Sequence, residues 1–171
     1  MRCGLIGSGH VAHALGQHVE EAVGWAGQWS RSGMHAVPGV PFSADWSGWQ
    51  VAVLAVADGA LQAVAERVPR GVWRVHLSGA QPLEAVAPDG ERGAVMWPVC
   101  SIRKEHAPEW SQVHWGIEAT DSEVLEWASA LVIRLGGTPH PLSHSERLSA
   151  HIAAVFAANF TNLMLAEAAA L

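Results

Sequence analysis

The chain has 171 residues, half of them hydrophobic, which is enough for one packed domain or for a domain and part of a second. A formal net charge of -6, from 16 acidic residues against 10 Lys and Arg, argues against a nucleic-acid backbone or an anionic membrane surface as the main partner and leaves a small molecule as the expected one. Cys3 and Cys100 form no CxxC pair and no disulfide framework, no signal-peptide pattern opens the chain, and no apolar run reads as long enough to span a bilayer, so a cytoplasmic protein is expected.

Residues 2–6 suit a short buried strand, and Val11, Leu15, Val19 and Val23 recur at helical spacing over 10–23, with a second strand expected at 26–30. Between the first two elements stands Gly7-Ser8-Gly9-His10-Val11-Ala12, a G-x-G-x-x-A turn directly after a strand and opening a helix. There, Gly7 permits the tight turn, Gly9 lets backbone approach a diphosphate, Ala12 lets helix pack on strand, and the helix N-terminus faces the negative charge. A fold that prefers NAD carries an acidic residue about 20 positions later, to hold the ribose 2′-hydroxyl. This chain has Trp29-Ser30-Arg31-Ser32 instead, a guanidinium flanked by hydroxyls, which suits a 2′-phosphate and favours NADP over NAD. The plainer reading of Arg31, a solvated turn residue, stays open.

A Gly-, Pro- and Ser-rich loop covers 32–50. The continuous apolar run 51–56 predicts a central parallel strand, broken by Asp58-Gly59. A helix over 60–68 and strands over 72–77, 93–97 and 113–119 continue the alternation of an α/β layer architecture. Thr120 and Glu123 have capping-box spacing before a helix with apolar positions Val124, Leu125, Ala128, Leu131, Val132 and Leu135, ended by Gly136-Gly137. Ser143 and Glu146 repeat the signal ahead of an Ala-rich pattern running unbroken toward Leu171. The predicted fold is α/β, a Rossmann-like, doubly wound, mostly parallel sheet followed by a long C-terminal helix. It divides into a dinucleotide-binding domain over 1–142 and the start of a helical domain, apparently truncated, over 143–171.

Ten histidines invite a metal reading, yet no H-E-x-x-H or Cys-containing ligand set exists, and no metal site is expected. His76 closes a predicted strand just before Ser78-Gly79, at the edge where open α/β sheets bind ligands; a strand-end hydrogen-bonding role is the equal alternative. On one continuous α-helix, Asn159 and Asn162 follow His151 at spacings that share its face. Such a stripe serves either interhelical hydrogen bonds or a substrate-binding, proton-donating face.

Gly4 to Ala12, Ser30-Arg31-Ser32, Ala55-Val56-Ala57-Asp58, Val75 to Gly79, Trp97-Pro98, Glu146-Arg147 and the segment from His151 to Asn162 together resemble a family of Rossmann-like proteins with a DUF2520 C-terminal domain. These are distant relatives of pyrroline-5-carboxylate reductase and the β-hydroxyacid dehydrogenases. The resemblance implies an NADP(H)-dependent oxidoreductase acting on a small carbonyl or imine, with a 2-keto acid such as ketopantoate among the candidates. It puts the nicotinamide by Ala55 to Asp58, near Ser78 and Gly79, and the substrate between it and the His151 helix. Related dehydrogenases carry a Lys and an Asn on that helix. This chain has no Lys there, which leaves His151, with Asn159 or Asn162, to polarise the substrate and deliver the proton. Relatives continue into further helices that also form the dimer, so either the chain is a fragment or a second copy or another chain covers the apolar C-terminal helix, a homo-oligomer being the expected case. The alternative is an NADP(H)-binding regulatory module without turnover.

Overall fold

The computed structural model describes residues 1–23, 25–30, 46, 48–88, 90–102 and 108–170. Seven strands form one sheet: β1 (Cys3–Ile6), β2 (Trp25–Trp29), β3 (Val51–Leu54), β4 (Trp73–His76), β5 (Gly93–Pro98), β6 (His114–Ala119) and β7 (Thr138–Pro141). Their order is β2-β1-β3-β4-β5-β6-β7, and every pairing is parallel except β5 with β6. The Rossmann-like α/β architecture expected from the alternation of patterns is therefore present. The chain leaves β1 toward β2 on one side and returns to β3 on the other, so the order reverses around β1. That reversal opens a crevice beyond the carboxyl ends of β1 and β3, which is where sheets of this type bind ligands.

Both faces of the sheet are covered, which is why its central strands are apolar without alternation. Alternate residues go to opposite sides. Val51 and Val53 join Leu5, Val75, Met96 and Trp115 under α1 (His10–Val23) and α3 (Ser122–Arg134). Ala52 and Leu54 join Ile6, Val95 and Trp97 under α2 (Leu61–Ala65) and the turn Leu83–Ala85. On this second face Trp49, 5% exposed, lies over Gly4, where a Cβ would overlap its ring. Trp49 stacks on Trp46, whose ring meets Trp29 edge-on, so tryptophans roof part of this face.

Three elements differ from the sequence expectation. The helix expected over 60–68 is a 3-10 turn, Asp58–Ala60, followed by the short α2. β7, Thr-Pro-His-Pro, stands where no strand was expected; it lies at the sheet edge, where a proline's missing N–H costs no ladder bond. The N-cap of α3 is Asp121, not Thr120. Asp121 accepts from the Val124 amide at 3.0 Å and pairs with Arg92 at 2.8 Å, while Thr120 bonds the Gly93 backbone. The Arg92 hydrogen bonds, with that of Val124, hold the Asp121 carboxyl down at about 2. Gly136, at φ +84°, ends α3 as expected, with the Gly137 amide reaching back to Val132.

The capping box of Ser143 and Glu146 opens the last helix as expected: α4 (His144–Ala154), a π-helical stretch Val155–Phe160, and α5 (Thr161–Ala169). Taken as one, His144–Ala169 spans 26 residues and contains an 18-residue window of mean hydropathy 1.4, long and apolar enough by composition to cross a membrane. This corrects the expectation that no such run exists: His144, Glu146, Arg147 and Glu167 interrupt the pattern, while its Ala content lifts the average. Its first turns are fastened to the sheet through Arg147, which is fully buried.

Replacing Gly4 by Ala forces Trp49 off the sheet, and a loss of about 1–3 kcal/mol in urea unfolding is expected. The same change in a Trp49→Leu background should cost less than half as much. Equal costs in the two backgrounds would show that Trp49 is not what Gly4 makes room for.

Candidate functional site

The turn after β1 is stitched to both neighbouring strands. Gly7, at φ +137°, donates its amide to the Trp29 carbonyl at 2.9 Å, and its own carbonyl accepts from the buried Gln28 amide side chain at 2.7 Å. A Cβ at Gly7 would lie on the Ala55 carbonyl oxygen, so no other residue fits this crossing. Gly9 is the opposite case: nothing lies within 4 Å of where its Cβ would be, and the backbone is open to the crevice. The helix begins directly after, with the His13 amide bonded to the Gly9 carbonyl at 3.0 Å. Its first amides lack intrahelical partners and give the crevice a positive edge. Ala12 is fully buried behind the turn.

The crevice holds about 480 Å³, lined by Gly9, His10 and Val11, by Leu54 to Asp58, and by Leu61, Leu77, Ser78 and Ile102. Most of the expected cofactor residues thus meet in one place. Gly7 and Ala12 stand behind it, Ser8 is exposed on the turn, and Ser30 is buried at the end of β2. Arg31 and Ser32 lie outside the described residues. Across the crevice, the Ser78 hydroxyl donates to the Asp58 carboxylate at 3.0 Å and accepts from the amides of Ala80 and Gln81, each at 3.1 Å. The loops after β3 and β4 are tied together by that one side chain.

His76 supports the same loop from below, its Nδ1 accepting from the Ser78 amide at 3.2 Å. Burial, and next the charge of Arg147, push its pKa down to about 4, against smaller opposing effects of the Pro82 carbonyl and Asp58. The imidazole is neutral at pH 7 and acts as an acceptor, the strand-end role of the two considered.

A second cleft of about 300 Å³ lies between the segment after β5 and the last helix. Trp97, Val99, Cys100 and Ser101 line one side, and His151, Ala154, Val155, Ala157, Ala158 and Asn159 the other. The His151 ring stands edge-on to Trp97, centroids 5.4 Å apart, and a Cβ on Gly79 would collide with the His151 imidazole. Burial pushes the Cys100 thiol up, away from thiolate. Asn162 is exposed and does not line this cleft. The shared stripe assumed a continuous α-helix, and the π-helical stretch, in which the Thr161 hydroxyl bonds the Phe156 carbonyl, takes up an extra residue. One extra residue turns the remainder of the helix by about 100°.

Arg147, one turn before His151, is the residue to which sequence reasoning gave no role. Its Nη1 donates to the carbonyls of Ser78 (3.2 Å) and Gly79 (2.7 Å), and its Nη2 pairs with Glu118 at 2.8 Å and meets His144 Nδ1 at 3.0 Å. Breaking such a buried pair from one side costs roughly 3–5 kcal/mol. In the sequence, Glu146-Arg147 counts only toward the family resemblance, with no task attached to the arginine. Among the described residues no three His, Cys, Asp or Glu come together as metal ligands; His140 meets His114 at 2.8 Å, while His144 turns to Arg147.

A glycine turn at the switch point of a mostly parallel sheet, opening on a crevice, defines a Rossmann-like fold. Within it, residues 113–171 match the family model described as a domain of unknown function, DUF2520. The sheet and helices superpose on a presumed NADP oxidoreductase of Bacteroides fragilis (TM-score 0.80, 23% identity), covering 98% of this chain and 70% of that one. They superpose also on the Plasmodium falciparum pyrroline carboxylate reductase with NADP bound (TM-score 0.74, 10% identity), covering 98% and 67%. A third likeness is to an Aspergillus terreus reductive aminase in complex with NADPH and ethyl-5-oxohexanoate (TM-score 0.68, 15% identity), covering 95% and 62%. No curated protein sequence matches the chain. The resemblance read from the sequence thus holds for the DUF2520 segment and for the shared fold, and the chain spans 62% to 70% of the length of these three structures.

The depressed pKa of His76 sets a pH window. An unfolded chain takes up a proton near pH 6.5 and the folded one near 4, so this stability is complete above pH 6.5 and drains as pH falls toward 4. The loss is on the order of 3 kcal/mol. In His76→Asn, whose side-chain oxygen can accept from Ser78 in place of Nδ1, the decline between those pH values should flatten. Urea midpoints at pH 7 and 4.5 check this, and parallel declines in parent and variant would remove His76 from the explanation.

Proposed function

We propose that the chain is the dinucleotide-binding part, with the first substrate-side helix, of an NADP(H)-dependent oxidoreductase that reduces a small carbonyl or imine compound. The observation that carries this reading is Gly9: an open backbone at a helix N-terminus, facing a crevice at the topological switch point, is a seat for a diphosphate. Gly7, Ser8, Gly9, His10, Val11 and Ala12 would form that seat. Ser30, Arg31 and Ser32 follow β2 and would receive the 2′-phosphate, which favours NADP over NAD. Ala55, Val56, Ala57 and Asp58, with Ser78 and Gly79, would border the nicotinamide. When bound, the dinucleotide supplies the hydride.

The chain's own contribution is on the second cleft. His151, held between Trp97 and Gly79, is the proton donor in this reading, and Asn159 on the same cleft orients the substrate by hydrogen bonding. Asn162, off this cleft, is left the lesser role. Imines and carbonyls, a 2-keto acid such as ketopantoate included, share the need for a donor at the atom that gains the proton. The domain division at 142–143 fits this assignment of roles. A second copy is the proposed cover for the exposed Phe156, Phe160, Leu163, Met164 and Leu165, in a cytoplasmic protein.

The second reading, an NADP(H)-responsive module without turnover, draws on that same exposure. Hydride transfer needs a site closed to water, and Asn159 is exposed. Association that changes with NADP(H) while no substrate is consumed would favour it.

Calorimetric titration is expected to show NADP(H) binding tighter than NAD(H), with Arg31→Ala losing most of that preference. Gly9→Val should keep the parent's thermal midpoint, because its Cβ meets nothing, yet weaken NADPH binding at least tenfold; unchanged binding would sink the seat. With a substrate that turns over, His151→Gln should lower kcat by about 10²–10⁴ with little change in NADPH affinity. A variant of undiminished kcat would exclude His151 as the donor.

A further inference from the structure

We propose that Arg147 is a positioning residue coupling the two clefts: its guanidinium holds the Ser78–Gly79 backbone so that Ser78 closes onto Asp58 in one cleft while Gly79 seats the His151 imidazole in the other. The naming of one cleft for cofactor and the other for substrate rests on the proposed oxidoreductase function; the mechanical link does not.

Four contacts carry it. Nη1 reaches two successive carbonyls, Ser78 at 3.2 Å and Gly79 at 2.7 Å, and Nη2 is anchored at 2.8 Å to Glu118 on β6 and at 3.0 Å to His144. Only a planar fork with several fixed donors can hold two adjacent carbonyls and a carboxylate at once; an ammonium offers one point charge. The loop it grips has no slack on the other side. Ser78 also spans to Asp58, caps the amides of Ala80 and Gln81, and rests its own amide on His76. Gly79 is buried, with His151 and Trp97 against it closely enough that a methyl group would not fit.

Arg147 and His151 are four residues apart on α4, so they lie on one face and grip the same two-residue segment. A shift of Ser78 when the first crevice fills therefore has to pass to Gly79 and to the His151 ring, or be resisted by Arg147. A buried arginine pair is a poor way to gain stability, since an apolar replacement of similar volume often does as well. Its position at the junction of two clefts gives it a different use.

The test uses the full chain with Arg147→Lys and Arg147→Met. Without ligand, both variants should lose the nuclear Overhauser contact between Gly79 and the His151 ring, and the Ala80 and Gln81 amides should exchange at least tenfold faster than in the parent. His76 separates charge from geometry: its titration should rise from about 4 in Arg147→Met, with burial still holding it below 6.5, and stay low in Arg147→Lys. With NADPH added, the His151 ring resonances should shift in the parent and fail to shift in Arg147→Lys. A Gly79–His151 contact and amide exchange unchanged in Arg147→Lys would overturn the clamp, as would a His151 response to NADPH equal to the parent's. If Arg147→Met does not fold, Arg147→Lys decides alone. A parent that binds no NADPH defeats the proposed function instead, and the ligand-free comparison still decides the clamp.

Discussion

Everything at the ligand-binding edge depends on how closely two backbones cross. Gly7 sits where a Cβ would occupy the Ala55 carbonyl oxygen, and the same glycine hands its amide to Trp29 and its carbonyl to Gln28. Strands β2, β1 and β3 are thereby locked together at the point where the chain changes direction across the sheet. A bulkier residue would push β1 from β3 and close the crevice from behind. The neighbouring Gly9 needs no space within the protein and leaves its space empty. Two glycines two positions apart thus act oppositely, one by filling the fold and the other by leaving room beside it.

Beyond that crossing, the edge is held by polar groups joined to one another. Asp58, Ser78, His76, Arg147 and Glu118 are linked by hydrogen bonds or charge, running from the first crevice to β6. The neutral state of His76 belongs to this arrangement, because the guanidinium nearby makes a second buried cation costly. The far side of the sheet uses arginines differently. Arg74, 5% exposed, donates to the carbonyls of Val68 and Val86, and Arg92 lies over Trp73 while pairing with Asp121 and Glu123. Those contacts close helix and turn ends, away from the residues that line the two clefts.

The sequence made the strand and helix alternation legible because parallel strands buried on both faces leave continuous apolar runs, as at 51–56, and because caps such as Ser143 and Glu146 act locally. The turn at Gly7 and Gly9 was legible from the motif, while its neighbourhood with Ala55 to Asp58 came from the family resemblance. What could not be read was set by contacts between distant segments. β7 looks like a turn because Pro139 and Pro141 are turn formers, and only its place at the edge makes it a strand. Asp121 outcompeted Thr120 as cap because Arg92, remote in sequence, holds its carboxylate in place. What Arg147 holds could not be read either, as its partners are spread from Ser78 to Glu118.

The π-helical stretch shows the same principle within one element. Its residues, Val155–Phe160, carry nothing that a propensity scale would mark as different from α-helix, yet the wider turn decides which polar groups share a cleft. Asn159 falls inside the stretch and stays beside His151; Asn162 falls after it and is carried round. The rotation does more than remove one amide, because it sets the direction of every later side chain. Leu163, Met164 and Leu165, all more than half exposed, take their direction from it. Wound as α-helix throughout, the same residues would bring Asn162 back to the His151 face and swing that apolar face with it, so the polar content of the cleft and the surface left for a partner are set by one backbone irregularity.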